Sequence, residues 1–145
     1  MRPDPIVALV SYLKSIQDVS NLAGPRVYGA EMPDSVNAVM PKKVVVLRRA
    51  GGGILIGSGG GGGYLRVGDF RLDVRCYGET PFEAARLSLV VQEALKQMRR
   101  NVQGSALLHW ANPSGGALSL RDPDAEWPLE FSSWQVLSSE QEVPA

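Results

Sequence analysis

The chain carries one cysteine, Cys76, and one histidine, His109. A lone cysteine leaves no intramolecular disulfide framework and no cysteine-based zinc site, and a lone histidine leaves no His/His metal motif. An excess of charge of one sign is also missing, since 15 basic residues balance 15 acidic ones. That balance argues against a nucleic-acid binder working through an overall positive field. No apolar run approaches the about 18 residues that a membrane-spanning helix needs. The stretch after Met1-Arg2-Pro3-Asp4-Pro5 is interrupted by Ser11, Tyr12 and Lys14, so it does not read as a signal peptide. The expectation is a small soluble domain of the cytoplasmic type over residues 1–137 of 145, with a polar acidic tail over 138–145.

Glycine is plentiful, and it is concentrated. Of 16 glycines, Gly51, Gly52, Gly53, Gly57 and Gly59 to Gly63 fall in one short segment. Ordering such a segment loses much conformational entropy, so residues 51–63 are expected to form a mobile loop. The triplet Ile54-Leu55-Ile56 inside it is unusual for a solvated linker and suits a contact element.

Asp4-Pro5 reads as a helix start, and Ile6, Leu9, Val10, Leu13 and Ile16 recur at helical spacing up to about Gln17. Residues 20–28 read as a compact turn around Gly24-Pro25, and Glu31 to Pro41 as an irregular connection. Val44 to Arg48 is a short β-branched run, expected as a strand covered in part on both faces. From Asp69 to Cys76 the alternation is strict: Phe70, Leu72, Val74 and Cys76 on one face, Asp69, Arg71, Asp73 and Arg75 on the other. Leu65 and Val67 have the opposite parity, which suggests a bulge at Gly68. The two strands flanking the glycines then form a long-looped hairpin.

Thr80-Pro81-Phe82-Glu83 reads as N-cap, first helical residue and capping box. Leu87, Val90, Val91, Ala94, Leu95 and Met98 make the buried stripe of that helix, with Asn101 as its left-handed cap. Ala106 to Trp110 and Trp127 to Leu137 are expected strands, the second switching parity at Ser132-Ser133. The predicted fold class is α+β: a mostly antiparallel four-stranded sheet with two helices packed on one face, in the order αββαββ.

Few residues are arranged for chemistry. Gly57, Gly59 and Gly62 match G-x-G-x-x-G, but Tyr64-Leu65-Arg66-Val67 after them is strand-like, where a dinucleotide site requires a helix. No Lys-Ser/Thr pair follows the glycines, so a P-loop is excluded. His109 reads as a half-buried structural residue and Cys76 as an inert core thiol. Asp69 and Asp73 share a strand face, but with Arg71 and Arg75 among them they read as an ordinary exposed pattern. Asp122, Asp124 and Glu126 lack the glycine and the distant glutamate of a calcium loop. No catalytic, metal or cofactor residue is assigned. Charge is nonetheless segregated. Lys42 to Arg75 holds seven basic residues against two acids, and the chain from Asp122 onward holds six acids and no base. Such a distribution suits head-to-tail pairing of subunits, or merely two solvated faces.

The chain resembles the small tail-terminator and tail-completion proteins of the head–tail junction of long-tailed bacteriophages. The resemblance is carried by the helix opening Pro5-Ile6-Val7-Ala8-Leu9 and by Leu22-Ala23-Gly24-Pro25-Arg26-Val27-Tyr28, like that family's Gly-x-Arg-hydrophobic-Tyr turn. The strands Val44 to Arg48 and Phe70 to Tyr77 and the helix Pro81 to Met98 complete it; the long glycine loop departs from the pattern. It implies a non-enzymatic virion protein, assembled in the host cytoplasm, that closes as a ring, usually of six subunits. Such a ring stops the tail tube, meets the tail-tube protein and a neck or head-completion protein, and lets DNA pass without reading it; no membrane is involved. The subunit-interface candidates are Ile54, Leu55, Ile56, Arg48, Arg66, Arg71, Arg75, Asp122, Asp124 and Glu126. The alternatives are a ligand- or phosphate-binding domain or enzyme using the glycine loop as a lid over Arg48, Arg66 or Arg75, and an adaptor of another kind on the same frame.

Overall fold

A computed structural model of the protein describes residues 3–56 and 67–139, with the backbone alone at 52–56 and 67. The helices are α1 (Pro5–Ser15), α2 (Gln17–Ala23), α3 (Asp34–Asn37) and α4 (Pro81–Gln97). The strands are β1 (Val27–Gly29), β2 (Val44–Ile56), β3 (Val67–Tyr77), β4 (Asn101–Gln103), β5 (Ala106–Pro113), β6 (Leu118–Arg121) and β7 (Pro128–Ser139). They form one seven-stranded sheet in the order β1-β2-β3-β7-β5-β4, with β6 also on β7, curled into a half-barrel. Strand β1 runs parallel to β2 and every other pair is antiparallel.

The expected four-stranded sheet with two helices is therefore wrong. It lacks β1, β4 and β6, each of three or four residues, too short for period-two alternation to register. It also lacks α2 and α3. The first helix stops at Ser15 because Ile16 turns extended, with ψ 117°, and α2 starts at once. Hydroxyls take up carbonyls near this break: Ser15 Oγ donates to Tyr12 O at 2.6 Å and Ser20 Oγ to Lys14 O at 2.9 Å. Gly24, at φ +58°, closes α2.

The glycine segment is also revised. Residues 51–56 are not loop but the end of β2, paired through Gly51↔Arg71, Gly52↔Phe70, Leu55↔Gly68 and Ile56↔Val67. Residues 57–63, the rest of the expected mobile loop, lie outside the described residues. The hairpin topology is as expected, but its irregularities sit on β2, between Arg49 and Gly51 and between Gly52 and Leu55, rather than at Gly68.

Helices α1, α2 and α4 cover one face of the sheet. Leu9, Tyr12, Leu13, Val19, Leu87, Val91 and Leu95 meet Val45, Leu47, Phe70, Leu72, Val74, Leu108, Trp134 and Val136 there. Buried polar atoms in this layer are matched: Tyr12 donates its hydroxyl to Ala94 O at 2.6 Å, and Trp134 Nε1 donates to Ser132 Oγ at 3.0 Å. On the other face a smaller cluster gathers Val44, Val46, Tyr77 and Leu129, with Met32, Val36, Met40, Trp127 and Phe131 packed against it. Strand β7 runs beside β3 in unbroken register from Val67↔Ser139 to Tyr77↔Leu129, so the expected parity switch at Ser132-Ser133 does not occur. Leu129 packs on one face and Trp134 on the other.

Thr80 caps α4 as expected, accepting from Glu83 N at 3.2 Å, but Glu83 Oε2 accepts from Glu79 N rather than from the cap residue. The left-handed residue after α4 is Arg100, at φ +44°, not Asn101. Gly78 joins β3 to α4 so tightly that a Cβ would lie 2.4 Å from Ala84 N. Backbone on both sides cannot yield cheaply. Gly78→Ala is expected to cost about 3 kcal/mol of stability, read as a lowered denaturation midpoint; an unchanged midpoint would contradict this packing.

Candidate functional site

The face of the sheet away from α1, α2 and α4 carries the charge pattern seen in the sequence. Across β2, β3 and β7 the aligned rows are Val44–Tyr77–Leu129, Val46–Arg75–Phe131, Arg48–Asp73–Ser133 and Gly51–Arg71–Gln135. The first row is apolar, the second sets Arg75 between Val46 and Phe131, and the last two are polar apart from Gly51, so β3 turns charged one row before β2 and β7 lose their apolar residues.

In the polar rows the side chains bond to one another. Arg71 Nη2 donates to Ser133 Oγ at 3.2 Å, and Ser133 Oγ donates to Asp73 Oδ1 at 3.1 Å. Gln135 Nε2 donates to Asp69 Oδ2 at 2.6 Å. Asp69 Oδ1 is buried and has no hydrogen-bond partner among the described residues. Asp69 and Asp73 are thus each held by a different neighbour rather than paired as acid and base.

The sequence-predicted residues scatter. Ile54, Leu55 and Ile56 lie on the last residues of β2, and Arg66 lies outside the described residues. Arg48 lines a cavity of about 580 Å³ with Asp4, Ile6, Val7, Val10 and Arg49. Arg75 instead lines a groove of about 410 Å³ with Leu118, Leu120, Arg121, Asp122, Asp124 and Phe131. Arg48 and Arg75 therefore line different described cavities. One groove is thus lined by both Arg75 and the pair Asp122 and Asp124, which the segregated charges of the sequence suggest are apart. Asp122 Oδ1 accepts from Asp124 N and Ala125 N, each at 3.0 Å, and so shapes the turn after β6. Among the described residues no group of three or more His, Cys, Asp or Glu side chains is placed to hold a metal. No helix among them is long and apolar enough to cross a membrane.

Two things were missed in the sequence. The pair Leu118 and Leu120, 56% and 47% exposed, sits on β6, and its L-x-L alternation is the only signal. Glu130 is buried opposite Cys76 and accepts from Ser119 Oγ. Its parity with Trp134 would have indicated burial had no parity switch been assumed.

Cys76 is 1% exposed. Burial pushes its thiol well above the usual range, the Glu130 carboxylate adds to this, and a hydrogen bond with Ser88 opposes it. It is an unreactive core thiol. His109 is held below the ordinary imidazole value by burial first and then by the Arg100 charge, and its Nε2 is buried without a partner among the described residues.

No protein-family model matches the chain, and no curated protein matches its sequence. Among solved structures the fold is similar to that of a chain from a structure described as the virion of a native gene transfer agent (GTA) particle. The TM-score is 0.62 at 17% identity, over 92% of this chain and 92% of that one. At that identity the likeness is one of fold.

Because the fold favours neutral His109, its stabilising contribution is complete above the unfolded value of 6.5 and falls away as pH drops towards the lower folded value. Between about pH 7 and about pH 5 the melting temperature of His109→Gln is expected to fall less than that of the wild type. Equal falls would contradict the assignment.

Proposed function

We propose that this chain is a structural protein of a phage-like virion, and that it forms a ring at the head–tail junction, ending the tail tube and joining it to the neck. The observation that carries the virion role is the fold likeness to a GTA-particle chain over nearly the whole length of both. The junction ring rests on the resemblance of the α1 opening, the Gly24-Pro25-Arg26-Val27-Tyr28 turn, β2, β3 and α4 to tail-terminator and tail-completion proteins. Supporting it are exposed Arg48 and Arg71 and half-buried Arg75 on β2 and β3, candidates for contact with a neighbouring subunit, as are Asp122, Asp124 and Glu126 in the turn after β6. In this reading the partners are further copies of the chain, six in a closed ring, with a tail-tube protein on one side and a neck or head-completion protein on the other. DNA passes through the lumen without sequence-specific contact, and the subunits perform no chemistry.

Silencing the gene in the genome that encodes the chain, then imaging the particles by electron microscopy, tests this. The expected result is tails of uncontrolled length or tails separated from filled heads, restored by a second gene copy. Joined particles with normal tails would overturn it.

A further inference from the structure

Two exposed apolar surfaces lie on opposite faces of the described structure. The first is a stripe on α4, where Phe82 is 81% and Leu89 67% exposed, with exposed Arg86 between them. Spacings of four and three residues align the three side chains along one side of the helix, spanning about 10 Å. The opposite side of α4 buries Leu87, Val91 and Leu95 in the main core, so nothing in the helix's own packing requires Phe82 or Leu89 to be apolar.

The second surface is the groove of about 410 Å³ whose floor is Leu118, Leu120, Leu129 and Phe131 and whose rim carries Arg75, Arg121, Asp122 and Asp124. Leu118 pairs with Phe131 and Leu120 with Leu129, placing the groove on the sheet face that α4 does not cover. Its four large apolar lining residues suit an amphipathic helix face bearing two large anchors.

We propose that α4 of one copy of this chain docks its Phe82–Arg86–Leu89 stripe into the β6 groove of a second copy, with Arg86 against Asp124. Charge complementarity selects this occupant. Arg86 sits between the two apolar anchors, and exposed Asp124 stands on the rim beside the two apolar β6 residues. Glu93, one turn beyond Leu89, accepts from Gln97 Nε2 at 2.9 Å. A chain cannot fold one face of its sheet onto the other, so a second molecule must supply the helix. Because the two surfaces differ, the contact is head-to-tail, and repetition of such a contact generates a closed ring or an open helix. The inference deepens the ring reading of the preceding section by naming the contact between neighbours.

Purified full-length protein tests it by sedimentation over a range of concentrations and by cysteine cross-linking. Phe82→Ala or Leu89→Ala is expected to weaken self-association about thirtyfold, and neither touches the core. Arg86→Glu and Asp124→Lys should each weaken it, and the two together should restore it. A mixture of Leu89→Cys and Leu120→Cys chains should form disulfide-linked pairs more readily than either variant alone. Association unaffected by Phe82→Ala and Arg86→Glu would overturn the proposal. So would a chain that stays monomeric at every concentration and gives no excess of mixed cross-links. The charge-swap pattern in a protein whose loss leaves particles normal would remove the junction reading and leave this contact standing.

Discussion

Everything in this fold leans on the pairing of β3 with β7. The two strands run side by side in one register from Val67↔Ser139 to Tyr77↔Leu129 with no bulge. Successive side chains therefore alternate strictly between the two faces along their whole shared length. One parity sends Phe70, Leu72, Val74, Trp134 and Val136 under the helices. The other sends Asp69, Arg71, Asp73, Arg75, Ser133 and Gln135 to the opposite face. A slip of one residue would exchange the two sets, placing four charged side chains of β3 beneath α4. Desolvating charges without partners costs several kcal/mol each, so the register is fixed far more firmly than hydrogen bonding alone would fix it.

The long elements were legible for that reason. The alternation from Asp69 to Cys76 identified β3 and both its faces, and the Thr80-Pro81 start with an aliphatic stripe identified α4, because burial there follows one clear period. What escaped was set by tertiary contact. Strand β1 consists of Val27–Gly29 held against β2 by three parallel pairings, and no three-residue pattern announces such a strand. Strand β4 has a local cause: Gly104, at φ +61°, turns the chain so that Gln103 pairs with Ala106, a two-residue hairpin signal that the long helix before it obscured. In β7 and at Trp127 just before it, the aromatic residues misled. Trp127 and Phe131 pack on one face and Trp134 on the other because both faces are covered there, and a strand buried on both sides loses the contrast that parity depends on.

The candidate interface was less legible than the fold. Charge segregation along the chain suggested separated basic and acidic surfaces, yet Arg75 and Asp122 line the same groove, since β6 folds back along β7 and carries the acidic turn with it. Exposure of apolar residues proved the more informative quantity. Helical spacing already leaves Leu89 off the buried stripe of Leu87 and Val91; the structure adds that it is 67% exposed, on the same side of α4 as Phe82.

The glycines acquire a reason that composition did not supply. Strand β2 takes one extra residue relative to β3 between Arg49 and Gly51 and another between Gly52 and Leu55. Each added residue bends the strand and increases its local twist. Gly51 adopts φ +143° at the first of these, a conformation that a side chain would strain. Composition suggests freedom for the whole segment, but residues 51–56 are the bulged end of β2, paired with β3 as far as Ile56↔Val67. Beyond Leu47, the last residue that β1 covers, β2 is an irregular, glycine-rich edge of the sheet, paired with β3 alone. Bulges of this kind discourage indiscriminate strand addition. That makes a side-chain contact, such as a helix stripe in a groove, a better route to specific association than open pairing of edges.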